Sequence, residues 1–138
     1  MMKADECIFF QLAKLSQLAT RTWGQRVSDL DITATQAMVI RFLYDEDGVT
    51  SIELGKKTEL DSSTMTGILD RLETAGLIAR KDNLDDRRSI RIFLTDKGKI
   101  TGKEVAERME TANADFLKCL KKGAEKEFRR LTGLIRKI

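Results

Sequence analysis

Between residues 50 and 95 the spacing of apolar and turn-forming residues changes period, and that change narrows what the chain can fold into. Thr50-Ser51-Ile52-Glu53 is a capping box, in which a hydroxyl satisfies a free N–H of the first helical turn and a glutamate reaches back. It opens a short helix with Ile52 and Leu54 directed inward and Lys56 and Lys57 exposed. Thr58-Glu59-Leu60 makes a turn, and Asp61 caps the next helix. There Met65, Ile68 or Leu69, and Leu72 share the inner face, while Ser63, Thr66, Gly67 and Asp70 fall opposite by the 3.6-residue period. Gly76 stands where a left-handed C-cap is expected. The period then drops to two. Residues 77–80 are a strand candidate and residues 81–88 a charged loop. In residues 89–94, Ile90, Ile92 and Leu94 alternate with Ser89, Arg91 and Phe93. This predicts two helices at a tight turn, followed by a two-stranded ribbon with a basic tip.

The flanking segments are helical and apolar on one side. From Asp5 to Leu30, the residues Ile8, Leu12, Leu15, Ala19, Trp23, Val27 and Leu30 recur every three or four positions, as in one long helix. Phe9, Phe10 and Leu18 widen that stripe. Each such side chain gains roughly 1.5–3 kcal/mol on burial, so the stripe predicts a partner surface. Thr33-Ala34-Thr35-Gln36 is another capping box, opening a helix with Met38, Val39, Phe42 and Leu43 inward. That helix ends at Asp45-Glu46-Asp47-Gly48, and Val49-Thr50 is a brief strand. Thr95-Asp96 opens a second long helix with Val105, Met109, Ala112, Phe116 and Leu120 in its stripe; Gly123 breaks it. A last helix carries Phe128, Leu131, Ile135 and Ile138. The terminal helices present apolar faces that the small central module cannot cover.

Composition removes several classes of function. At 138 residues one domain is expected. No apolar run approaches a membrane span, and Asp5 and Glu6 stand where a signal peptide would place lysines, so a cytoplasmic protein with no membrane partner is expected. The chain has no histidine, which takes away the commonest general base and the commonest transition-metal ligand together. There is no Gly-rich phosphate loop and no cysteine paired with a base, so the chain reads as not an enzyme, with no metal and no cofactor. Cys7 and Cys119 lie far apart and form no disulfide framework. A net charge of +3 is weak evidence for a nucleic-acid partner, so its placement matters more.

A helix with hydroxyl side chains at its start, next to a ribbon tipped with arginines, suits the grooves of duplex DNA. The plainer reading is that Ser62, Ser63 and Thr64 merely cap their own backbone and that Asp86 and Arg88 form a solvated pair. The combination of helix-turn-helix and basic ribbon favours DNA contact. Arg80, Lys81, Arg87 and Arg91 flank Arg88 on the same ribbon. The cations of the last helices, Lys118, Lys121, Lys122, Lys126, Arg129 and Arg130, read as a solvated face.

From Leu30 to Gly98 the chain resembles the MarR family of winged-helix regulators. The carrying residues are L-D-I-T-A-T-Q at 30–36, L-D-S-S-T-M-T-G-I-L-D-R-L-E at 60–73, G-L-I-A-R at 76–80, D-D-R-R at 85–88 and L-T-D-K-G at 94–98. The D-x-R followed at a fixed distance by L-T-x-x-G is the most specific part. Leu84 stands where the family often has a wing proline. The resemblance implies a mainly α fold with a small β-wing: a winged helix-turn-helix with long N- and C-terminal dimerisation helices. The divisions are residues 1–32 for the N-terminal dimerisation helix, 33–98 for the DNA-binding domain and 99–138 for the C-terminal dimerisation helices. It implies a homodimer on double-stranded DNA, with Ser62, Ser63, Thr64 and Thr66 at the groove-facing start of the recognition helix. Arg88 would enter the minor groove, held by an ion pair to Asp86, with Arg80 and Arg87 beside it. A transcriptional regulator, a repressor by expectation, would bind a pseudo-palindromic operator and answer to a small aromatic or phenolic effector. Trp23, Met38 and Phe42 are either plain core or lining for that ligand.

Two other readings stay open. Some relatives sense oxidants through a cysteine near the N-terminus. The surroundings of Cys7, acidic and apolar with no tyrosine near, favour instead a buried structural thiol there and at Cys119. A winged helix that binds protein rather than DNA is the other alternative, distinguished by an affinity that salt does not change.

Overall fold

The computed structural model describes residues 1–137; Ile138 lies outside the described residues. Among the described residues six α-helices and three short strands follow in the order α1 (Ile8–Val27), α2 (Ala34–Asp45), β1 (Val49–Thr50), α3 (Ser51–Thr58), α4 (Ser62–Thr74), β2 (Ile78–Asp82), β3 (Ile90–Leu94), α5 (Asp96–Leu117) and α6 (Ala124–Ile135). The strands make an antiparallel sheet in the order β1-β3-β2, with Ile92 of β3 facing Val49 on one side and Arg80 on the other.

Local chemistry sets the boundaries. Both capping boxes form: Thr33 accepts from the Gln36 N–H while the Gln36 side chain takes the Thr33 N–H, and Thr50 and Glu53 do the same. Asp61 caps α4, and Thr95 caps α5 by accepting the Gly98 N–H at 3.0 Å. The predicted single helix from Asp5 to Leu30 is shorter. The Glu6 carboxylate takes the Lys3 N–H and closes a separate 3-10 turn at Ala4–Glu6, after which Cys7 is extended. At the other end, Ser28–Leu30 tightens into a second 3-10 turn, and Asp31 at φ 54° turns the chain away.

The core gathers Val27 of α1, Val39, Ile40 and Leu43 of α2, Leu54 of α3, Leu69 and Leu72 of α4, Ile92 of β3 and Val105 of α5. Gly98 allows the start of α5 to lie on the strand region. A Cβ there would sit 1.9 Å from the Leu77 carbonyl oxygen, which already accepts the Thr95 N–H. Arg26 of α1 meets Asp115 of α5 at 2.5 Å, and Arg108 of α5 holds Asp29, in the turn after α1, as well as Glu104 on α5 itself. The Arg108 guanidinium lowers the Asp29 carboxyl from its ordinary range, and Arg26 does the same to Asp115.

Several apolar or thiol placements differ from expectation, among them Met38, expected inward on α2 and exposed. Ile52, expected inward, is 64% exposed, because the eight-residue α3 turns only Leu54 fully into the core. Ile90 begins β3 beyond the reach of the core and is exposed, unlike Ile92 and Leu94. The thiols are not buried in this chain: Cys7 is half-buried at the N-cap of α1 and Cys119 is exposed past the end of α5. On α1 the stripe divides. Val27 is buried and Trp23 packs on the core, while Ile8, Phe9, Phe10, Leu12, Leu15 and Leu18 remain exposed. The apolar residues Leu131, Leu134 and Ile135 of α6 are exposed as well.

Candidate nucleic-acid interface

Asp61 organises the start of α4. Its Oδ1 accepts the Thr64 N–H at 2.8 Å and the Ser63 hydroxyl at 3.0 Å, and its Oδ2 accepts the Thr64 hydroxyl at 2.7 Å. These donors favour the ionised form, with the Thr64 N–H contributing most, and hold the Asp61 pKa down at about 2. The Thr66 hydroxyl donates to the Ser62 carbonyl at 2.8 Å. Ser62, Ser63, Thr64 and Thr66 are all exposed, while Met65, Ile68, Leu69 and Leu72 hold the opposite face in the core. The four hydroxyl residues therefore line the free start of a helix whose direction the core fixes.

The ribbon tip is a built turn. Asn83, only 5% exposed, is its centre: its Oδ1 accepts the Asp85 N–H and the Arg91 Nε–H, and its Nδ2 donates to Ser89 Oγ at 2.8 Å. Arg91 also donates to the Gly48 carbonyl at 2.7 Å, tying the tip to the turn before β1, and lies 3.6 Å from Asp85. The sequence reading did not single out Asn83. The only signal was an amide among charged residues at a turn.

The expected Asp86–Arg88 ion pair is not formed. Asp86 Oδ1 instead accepts the backbone N–H of Arg88 at 2.9 Å, a tight local turn that leaves the guanidinium out of the bond. Among the described residues Arg87 and Arg88 have no carboxylate partner, and both are exposed. Arg80 is placed differently. It sits at the ribbon's base, and its guanidinium bonds Asp70 at 2.7 Å and Glu73 at 2.5 Å on α4. The structure thus brings the α4 hydroxyls and the Arg87–Arg88 tip to exposed positions and turns Arg80 back onto the helix. The Lys81 ammonium stands 4.9 Å from the Phe93 ring centroid.

Two adjoining cavities share Ala19, Trp23 and Met38. One, about 370 Å³, is bordered by Phe42 and Leu60; the other, about 330 Å³, by Met109 and Phe116. Trp23 is fixed by its Nε1–H donating to the Ala34 carbonyl at 3.1 Å. A third hollow, about 500 Å³, lies between α3 and α4. Among the described residues no group of three or more His, Cys, Asp or Glu is placed to hold a metal ion, and no helix is long and apolar enough to cross a membrane.

A model of the MarR family matches residues 32–90. The multiple antibiotic resistance protein MarR of Salmonella typhimurium is 33% identical over 104 residues, covering 70% of this chain and 72% of that protein. An organic hydroperoxide resistance transcriptional regulator of Bacillus subtilis is 34% identical over 97 residues, covering 70% and 66%. The aligned part spans 49% of the length of a transcriptional regulator of Methylorubrum extorquens to which the chain is 33% identical over 95 residues. Among solved structures, the PcaV transcriptional regulator of Streptomyces coelicolor in complex with its natural ligand superposes at a TM-score of 0.90, with 24% identity and coverage of 99% and 96%; this likeness establishes the fold.

Proposed function

The chain belongs to the MarR family, and from that premise we propose that it is a sequence-specific transcriptional regulator, a repressor, that binds a pseudo-palindromic operator in double-stranded DNA as a homodimer. The carrying observation is the pairing of an exposed, hydroxyl-bearing helix start with a ribbon tip whose two arginines have no partner among the described residues. Residues 33–98 serve as the DNA-binding module. Residues 1–32 and 99–138 serve as dimerisation segments, which gives the exposed apolar faces of α1 and α6 their cover.

The hydrogen bonds divide the labour on α4. Ser63, Thr64 and Thr66 already spend their O–H donors on Asp61 and on the Ser62 carbonyl, so what they offer outward is lone pairs. Those suit the amino groups of adenine N6 and cytosine N4 in the major groove. The Ser62 hydroxyl stands at the first position of α4 and supplies a donor to a phosphate oxygen. Arg87 and Arg88 carry the positive charge that a narrow minor groove attracts. Two such readers must sit roughly 34–36 Å apart to meet successive major-groove faces of one helical turn. The cavities around Trp23 lie where α1, α2 and α5 meet the helix-turn-helix; a small aromatic or phenolic effector wedged there alters that spacing and releases the operator.

Fluorescence anisotropy on operator DNA selected from a random pool tests this reading. Neutralised phosphates give a steep fall of log K with log salt, about −0.9 per phosphate contacted. A salt-insensitive affinity, or none, would leave a protein-interaction module instead.

One observation favours a second layer of control. Cys119 is exposed, and a regulator named for organic hydroperoxide resistance is 34% identical. Under that reading mild peroxide abolishes DNA binding reversibly in the wild type and not in Cys7→Ser or Cys119→Ser; unchanged binding after oxidation removes it.

A further inference from the structure

Asp70 and Glu73 are carboxylates on the exposed side of α4, one and two turns along from the hydroxyl cluster. On a helix that enters a groove lined by phosphates, two uncompensated negative charges are unfavourable. Arg80 answers both. Its side chain is 23% exposed, against 61% for Asp70 and 44% for Glu73, and it bonds one carboxylate through each terminal nitrogen. Burial disfavours its charge, but the two carboxylates outweigh that and raise its pKa above the ordinary arginine value. The planar fork of a guanidinium can bridge two acceptors, which the point charge of a lysine does less well. The clamp joins two elements that must act together, since β2 is the base of the ribbon whose tip carries Arg87 and Arg88.

We propose that Arg80 is a positioning residue for DNA recognition rather than a DNA contact. By pinning β2 to Asp70 and Glu73 of α4, it fixes the wing relative to the recognition helix, so that one major-groove and one minor-groove element meet the duplex as a unit. The inference rests on the DNA-binding reading above.

The discriminating variant is the double substitution Asp70→Asn with Glu73→Gln. Both carboxylates are largely exposed, so the fold has little to lose. The variant removes two negative charges near DNA and frees a cation; electrostatics alone therefore predicts tighter binding. The clamp predicts the reverse: affinity falls by about tenfold, the size of one lost specific contact, and hydroxyl-radical protection of the minor groove at the wing weakens. Arg80→Ala behaves likewise and leaves the salt slope unchanged, whereas loss of a direct phosphate contact lowers it by about 1. In DNA-free protein, amide order parameters across residues 82–89 fall toward the flexible range, below about 0.6, in both variants. Tighter binding by the double variant, a reduced salt slope in Arg80→Ala, or unchanged wing order would each overturn the proposal. If the wild type ignores DNA while the wing still loosens, the DNA-binding reading fails and the clamp survives as structure alone.

Discussion

Replacing Gly98 by alanine puts a methyl group into a space that does not exist. The new Cβ would stand 1.9 Å from the Leu77 carbonyl oxygen, 3.0 Å from its carbon and 3.2 Å from a Leu94 methyl. The offending atom is backbone, so no rotamer change relieves it; α5 and Leu77, just ahead of β2, must separate by more than an ångström. That carbonyl accepts the Thr95 N–H at 3.1 Å, and Leu77 itself donates to the Leu72 carbonyl at 2.9 Å. Overpacking of this kind costs about 1–3 kcal/mol, and a broken backbone hydrogen bond adds about 1 kcal/mol. For a chain of 138 residues a loss of that size lowers Tm by on the order of 10 °C. Thermal unfolding followed by circular dichroism, at one fixed protein concentration because the proposed dimerisation would couple to stability, measures it. Gly67 is the control: it lies inside α4 with nothing within 4 Å of an added Cβ, so Gly67→Ala should stabilise by about 0.5–1 kcal/mol. If Gly98→Ala melts at or above the wild-type temperature, the close approach of α5 to Leu77 is wrong.

Other outcomes follow from the same geometry. Arg88→Ala should weaken operator binding strongly in a gel-shift titration while leaving the thermal melt unchanged, because its side chain touches no carboxylate among the described residues. Asp61 titrates at about 2, below its ordinary 3.8, so its cap is complete above that ordinary value and disappears as pH falls through about 2. The Thr64 amide NMR shift should follow that transition in the wild type and stay flat in Asp61→Asn. Phe10→Glu on α1 or Leu131→Glu on α6 should turn a sedimenting dimer into monomer, since each sets a charge on an exposed apolar face; a dimer that persists in both would place the interface elsewhere.

Local features of this chain were legible because each depends on residues three or four apart. Thr33 with Gln36, Thr50 with Glu53 and Asp61 with Thr64 form the caps that their spacing predicts. Gly76 and Gly123 take positive φ where a helix was expected to stop or begin. Period alone also put Ile90, Ile92 and Leu94 on one face of β3, of which Ile92 and Leu94 are buried and Ile90, at the strand's start, is exposed. Long side chains were harder to read. Arg80 could reach DNA or fold back seven and ten residues onto Glu73 and Asp70, and only the packing of β2 on α4 decides. Asp86 competed between a guanidinium and a backbone N–H two residues on, and the turn geometry favoured the N–H. Burial of Ile52, Cys7 and Cys119 was misjudged for a related reason: a hydrophobic or thiol side chain states a preference, while the length of α3 and the ends of α1 and α5 decide whether any core lies within reach.

As proposed, two copies of this chain present their recognition helices and wings at a spacing matched to one turn of B-form DNA. Selection of bound duplexes from a random pool, followed by inserting half a turn between the half-sites recovered, addresses it directly. The expected result is inverted repeats with centres about 10–10.5 bp apart, two protomers per duplex, and loss of binding when about 5 bp are inserted. Enrichment of single half-sites, one protomer per duplex, or indifference to the insertion would contradict it.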